Sequence, residues 1–142
     1  MSVILAQTDT TVGLLSQDAP ALSAIKQRPP HKQYLKIYYN LTAYKKEGRV
    51  PSRFKAALRR SKKVSYVIKN RAFRIASTSE HQKLLKKYGW LYSTSANRSG
   101  ESFDRAFCES NADIIVEDYR GLKTLTPSQI IKLSHTNKRR LR

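Results

Sequence analysis

Apolar positions follow two periods along the chain. Residues 3–6, Val-Ile-Leu-Ala, form a short unbroken apolar run, as in a buried strand. Residues 19–27 carry Leu22 and Ile25 at i, i+3, with Asp18 as an N-cap ahead of Pro20, which predicts a helix stopped by Pro29-Pro30. Residues 34–39 are rich in aromatic and branched side chains and predict a strand. Ser52 caps a predicted helix that sets Phe54, Ala57 and Leu58 on one face and Lys55, Arg59 and Arg60 on the other. Residues 64–68 and 72–76 read as two strands joined through Lys69-Asn70-Arg71. Ser77 and Glu80 have capping-box spacing ahead of Leu84, Leu85 and Tyr88, and Gly89 suits the helix end. A strand at 90–93, a helix at 102–109 with Phe103, Ala106 and Phe107 inward, and strands at 113–117 and 129–133 complete the pattern. The order β-α-β-α-β-β-α-β-α-β-β fits an α+β fold, a twisted mixed β-sheet flanked by helices rather than an all-parallel sheet.

Length and composition narrow this further. The 142 residues suit one domain, read as 1–137, followed by a mobile basic C-terminal tail at 138–142. With 39% hydrophobic and 27% charged residues the chain is globular. No apolar run approaches the roughly 18 residues of a membrane span. The opening residues lack a basic n-region and a long apolar run, so no signal peptide is expected and the expected compartment is the cytoplasm. A single cysteine, Cys108, excludes a disulfide framework and a cysteine-rich zinc site; it reads as a packing residue.

Charge changes the picture most. Lys plus Arg number 28 against 10 acids, a net charge of +18, which predicts an anionic partner. Residues 45–74 hold twelve Lys or Arg and one acid, Glu47. Lys45, Lys46, Arg53, Arg59, Arg60, Lys62 and Lys63 are the candidate phosphate contacts for RNA. Residues 101–118 reverse the balance, with six acids and one base, and read as a solvated face.

Three polar segments carry candidate chemistry. Gln7-Thr8-Asp9-Thr10-Thr11-Val12-Gly13-Leu14 lies between the first strand and the first helix and offers small donors to a polar ligand, or forms an ordinary Asx or Ser/Thr turn. Lys26-Gln27-Arg28-Pro29, followed by Lys32, can aim a point charge and a planar fork at one phosphate; the same cations also suit a helix C-terminus. Tyr92-Ser93-Thr94-Ser95-Ala96-Asn97-Arg98-Ser99-Gly100 follows a strand and precedes a helix, a common ligand position, but lacks Walker A spacing. His31, His81 and His135 show no metal-ligand spacing, read as surface residues, and no metal site is expected.

In this order the segments resemble the YrdC family of threonylcarbamoyl-AMP synthases. The family's opening PTDTVYGLG element corresponds to Gln7–Leu14, with Gln7 where the family has proline. Its K-x-R-P element is Lys26-Gln27-Arg28-Pro29, and its S-T-S-A-N-x-S-G element is complete from Ser93 to Gly100. Its strand arginine is Arg74, and its late P-S-x-I element is Pro127-Ser128-Gln129-Ile130. The glycine-proline stretch before the central strand is replaced by Ser61-Lys62-Lys63-Val64. The resemblance implies a YrdC/DHBP-synthase-like fold with a basic cleft. It implies L-threonylcarbamoyladenylate synthesis from L-threonine, bicarbonate and ATP with Mg²⁺, for tRNA threonylcarbamoyladenosine modification. In that reading Lys26 and Arg28 are catalytic, and Lys26, Arg28, Lys32, Ser95 and Asn97 bind ATP. Thr8, Arg74 and Ser128 hold threonine, and proteins of the threonylcarbamoyl-transferase complex are partners. The resemblance also admits a degenerate YrdC-like domain that binds tRNA or double-stranded RNA without synthase activity.

Overall fold

The computed structural model describes residues 2–142. Nine strands and five α-helices occur among them: β1 (Ile4–Gln7), β2 (Val12–Ser16), α1 (Ala19–Lys26), β3 (Leu35–Tyr38), α2 (Leu41–Lys45), α3 (Lys55–Arg60), β4 (Val64–Ile68), β5 (Arg71–Ile75), α4 (Ser79–Lys86), β6 (Trp90–Ser95), α5 (Arg105–Asn111), β7 (Ile114–Val116), β8 (Gln129–Leu133) and β9 (Lys138–Arg140). Contacts gather into two compact units, Met1–Tyr34 with Leu91–Thr126 and Leu35–Trp90 with Pro127–Arg142.

In the first unit the strand order is β7-β1-β2-β6. β1 runs antiparallel to β2 and parallel to β7, and β2 runs antiparallel to β6. The run at 3–6 that predicted a strand is buried along its whole length, and its Val3 and Leu5 form a core with Val12, Leu14, Leu22 and Cys108. Asp18 caps α1 as expected, its side chain accepting from the Ala21 N–H at 3.2 Å. α1 ends at Lys26, one residue before the predicted boundary, and Gln27 caps it in the left-handed region with φ 54.

In the second unit the order is β3-β5-β4-β8-β9. β5 lies between a parallel β3 and an antiparallel β4, and β4 is also parallel to β8. Tyr38, Tyr44, Tyr66 and Phe73 fill the core, with Tyr44 stacked on Phe73 at 3.8 Å between ring centroids. The β4–β5 turn places Lys69 and Asn70 both at positive φ, 51 and 63, which matches the twist of a two-residue hairpin. Both units are mixed, so the expected mixed sheet with flanking helices is the observed fold class.

Several local expectations differ from the structure. The segment read as a loop from Gln7 to Leu14 instead ends β1 and begins β2, the two joined by a tight turn in which Thr8 N–H and its hydroxyl both donate to Thr11 O, at 3.3 and 2.7 Å. Ser52 does not cap α3; it opens a 3₁₀ turn, Ser52–Phe54, and no side-chain cap precedes either element. Thr78 rather than Ser77 caps α4, its hydroxyl accepting from His81 N–H at 3.4 Å. The helix expected at 102–109 starts later because Asp104 is its cap, accepting from Phe107 N–H at 3.2 Å. Helix α2, not anticipated, is capped by Asn40, which accepts from Ala43 N–H at 2.8 Å.

The basic tail read at 138–142 is instead mostly strand. A turn at 134–137, closed by Ser134 N–H to Asn137 O at 2.9 Å, folds β9 back along β8. Lys138, Arg139 and Arg140 then sit on an edge strand, where long charged side chains discourage further strand pairing. His81, expected at the surface, is buried in α4, 1% exposed. Among the described residues no helix is long and apolar enough to cross a membrane.

Candidate functional site

The first unit brings two of the predicted segments together at the end of α1. Lys26 is the last residue of that helix and is 3% exposed. Its ammonium donates to Ser95 O at 2.9 Å, Asn97 O at 2.8 Å and Asn97 Oδ1 at 3.3 Å. Three donors on one nitrogen meet three oxygens of a single loop, which uses the full capacity of an ammonium. The main chain adds a fourth tie, Ser99 N–H to Lys26 O at 3.1 Å.

The loop is also closed on itself. Ser95 Oγ donates to Asn97 Oδ1 at 2.5 Å, and Asn97 Nδ2 donates to Arg98 O and Glu101 O, both at 2.7 Å. Ala96 N–H donates to Val12 O at 3.0 Å, which fastens the loop to β2. The Arg98 guanidinium lies over the Phe107 ring at 4.0 Å. Burial, then the neighbouring Arg28 cation, push the Lys26 ammonium down to about 8, against a smaller opposing pull from Cys108.

Arg28 follows the left-handed Gln27. Its guanidinium lies over the Tyr34 ring at 4.6 Å, and its Nη2 donates to Gln33 O at 3.0 Å. Tyr34 is fixed in turn by a 2.8 Å hydrogen bond between its hydroxyl and Ser23. The half-buried fork is therefore held in one orientation by residues that sequence reasoning did not single out. Lys32 is exposed on the loop beyond Pro29-Pro30.

Thr8 is buried, and its methyl packs toward Gly13, where an added Cβ would meet Thr8 Cγ2 at 3.0 Å and Thr94 O at 3.2 Å. Gly13 is the register partner of Ser95, so the opening segment adjoins the Ser95 loop. Gln7 fills the family's proline position with a structural role: its Oε1 accepts from Lys123 N–H at 2.8 Å and its carbonyl from Arg120 Nη2 at 3.3 Å.

Arg74 and Ser128 belong to the second unit. Arg74 is buried on the internal strand β5. Ser128 is buried beside Ser65, with 2.7 Å between their hydroxyl oxygens. Ser65, on β4, was not flagged by the sequence; a serine inside an apolar strand is the signal that could have found it. Lys45, Lys46, Arg53, Arg59, Arg60, Lys62 and Lys63 are all exposed on this unit. Among the described residues there is no group of three or more His, Cys, Asp or Glu that could hold a metal ion.

No family model matches the chain. It is similar to the uncharacterized protein MG259 homolog of Mycoplasma pneumoniae, with 31% identity over 94 residues, 65% of this chain. The match spans about a fifth of that relative's length, 20%. Among solved structures it is similar to P. abyssi Sua5 complexed with L-threonine, with a TM-score of 0.80 at 17% identity over 99% of this chain and 50% of that one. It is similar to E. coli YciO with a TM-score of 0.77 at 18% identity, over 99% of this chain and 82% of that one. The chain therefore has the fold of the Sua5/YrdC proteins, the YrdC-like fold.

Proposed function

We propose that this chain is an ATP-dependent L-threonylcarbamoyladenylate synthase domain. The observation that carries the reading is the Lys26 node, a buried ammonium that gathers the Ser95–Asn97 loop beside an oriented Arg28 fork. The YrdC-like fold supports it, as does the L-threonine bound to the similar P. abyssi Sua5.

Threonine's amine and bicarbonate give a carbamate and water. A carbamate oxygen then attacks the α-phosphorus of ATP, the bond to the bridging oxygen breaks, and pyrophosphate leaves. No covalent enzyme intermediate is required, so catalysis is positioning plus charge neutralisation. In this reading Arg28 and Lys32 meet the polyphosphate, Arg28 as a fork matched to two phosphate oxygens. Lys26 keeps Ser95 and Asn97 in place and adds a positive charge beneath the same anion. Arg74, a fork suited to the threonine carboxylate, and Ser128 are the second unit's candidate threonine contacts, and Thr8 is the first unit's. Mg²⁺ travels with the ATP phosphate oxygens. The product's threonylcarbamoyl group then goes to tRNA through a transferase complex, with AMP leaving.

Ligand-dependent melting tests the binding half of this reading. Mg²⁺–ATP and L-threonine each raise Tm by mass action if they bind only the folded chain. Arg28→Ala abolishes the ATP shift and keeps the threonine shift. A Tm unmoved by both ligands at millimolar concentration refutes the reading.

A further inference from the structure

Two strand edges hold most of the large hydrophobic side chains left exposed among the described residues. Ile114, Ile115 and Val116 make up the whole of β7, and Leu141 directly follows β9. β7 is an edge strand of the first unit, paired to β1 on one side, and β9 is an edge strand of the second, paired to β8. An edge offers unpaired N–H and C=O groups to a further strand, and charged side chains usually guard it. Lys138, Arg139 and Arg140 guard β9 against another cationic edge, but not against an acidic one. β7 has no such guard: its three residues are 38, 46 and 36% exposed.

The two edges carry opposite charge. Asp113 precedes β7 and Glu117 follows it, whereas Leu141 and Arg142 follow the three cations of β9. Their free backbone groups can also be located. Ile114 N–H donates to Val3 O at 3.2 Å and so faces β1, which by alternation turns the N–H and C=O of Ile115 outward. Ser134 N–H donates to Asn137 O, and Leu141 N–H donates to Ile130 O at 2.7 Å. Positions 137 and 141 therefore face inward, and by the same alternation Lys138 and Arg140 present their backbone groups outward.

One antiparallel register between β7 of one copy and β9 of a second satisfies every pattern at once. It sets Ile115 opposite Arg140, whose outward groups then exchange both hydrogen bonds. It also sets Ile114 opposite Leu141, Glu117 opposite Lys138 and Asp113 opposite Arg142. Opposite residues share a face, so one apolar pair and two opposite-charge pairs form together. Glu117 already meets Arg105 at 2.6 Å, and a carboxylate has acceptor sites for both cations. Like edges do not fit. Two β7 strands paired antiparallel about Ile115 put Asp113 against Glu117 twice, and two β9 strands put cations against cations. We propose that β7 of one copy pairs with β9 of the next, joining copies of this chain head to tail. Such a contact is heterologous, so assembly continues into a chain of copies or closes into a ring.

Sedimentation velocity up to millimolar concentration tests this at about 0.15 M salt, where repulsion between copies of net charge +18 is screened beyond about 8 Å. The parent is expected to gain mass with concentration and to pass beyond a dimer. Ile115→Pro and Arg140→Pro each remove one outward N–H and spare the internal ladder, so each alone is expected to stay monomeric. Mixed, they are expected to form a dimer and stop there, because one intact β7 and one intact β9 remain. Glu117→Lys and Lys138→Glu each set like charges opposite one another and are expected to lose the association. The double variant Glu117→Lys, Lys138→Glu is expected to regain it. An unchanged Tm shows that a variant is folded, and if a proline variant fails to fold, the charge variants decide. A parent that stays monomeric throughout, association that survives Arg140→Pro, or a double charge variant that does not recover would each overturn the proposal.

Discussion

Replacing Lys26 by methionine should remove a specific alkaline stabilisation. The side chain keeps its length and loses its charge. An ordinary lysine titrates at 10.5, while burial and the nearby Arg28 bring this one to about 8. The gap corresponds to about 3 kcal/mol at 1.36 kcal/mol per pKa unit. Below about pH 8 the folded and unfolded chains both hold the proton, and the full cost of the buried charge is present. Between about 8 and 10.5 the unfolded chain keeps a proton that the folded chain has released, so stability rises with pH. Above that window the difference is constant. The parent should therefore gain about 3 kcal/mol across the window relative to Lys26→Met. Urea unfolding read by Trp90, the sole tryptophan, measures this at a series of pH values. All other lysines and tyrosines are common to both chains and cancel in the difference. Parallel profiles from pH 7 to 10.5 would refute the reasoning. On the proposed synthase reading, ATP affinity should fall above about pH 8 in the parent, as the node loses its charge, and an ATP-induced Tm shift followed over pH checks it.

Gly48→Ala should destabilise by about 1–3 kcal/mol, because the new methyl collides with a Tyr44 ring that its stack on Phe73 holds in place; thermal melting reads this. Asp18→Ala should cost about 1 kcal/mol by removing the acceptor of the Ala21 N–H, with Asp18→Asn restoring most of it. Glu47 concerns acid stability. Burial raises its carboxyl, but hydrogen bonds from the Tyr38 hydroxyl and the Lys36 ammonium outweigh that and hold it below its ordinary value of 4.5. Its contribution is present above pH 4.5 and is lost as pH falls through the lowered value. Glu47→Gln should thus lower stability at neutral pH and flatten the acid limb of the denaturation curve, whereas an unchanged limb would count against the Tyr38–Glu47–Lys36 contact.

The strongly periodic elements were legible in the sequence. The apolar run at the start became β1, the Asp18 cap opened α1, and the branched run at 64–68 became β4. The elements that were missed have their cause in tertiary pairing. β2 begins among threonines that look like a loop, and only the register with β1 and β6 makes it a strand. β9 is three cations in a row, which become a strand because the turn at 134–137 returns them to β8. Caps slipped by a residue or more where several hydroxyl or carboxylate side chains compete, as Ser77 does with Thr78. At the site, the motifs named Lys26, Ser95 and Asn97 but did not reveal that the lysine turns inward. That follows from α1 ending against the β6 loop, a long-range contact no local pattern encodes. Tyr34, which orients Arg28, looked like an ordinary strand aromatic.

The synthase reading stands or falls on pyrophosphate release from ATP by the purified chain in Mg²⁺, with L-threonine and bicarbonate present or omitted in turn. The account expects release that requires both small substrates and is lost in the Lys26→Ala, Arg28→Ala double variant. Release that ignores threonine, or none from a chain that melts cooperatively, would contradict it.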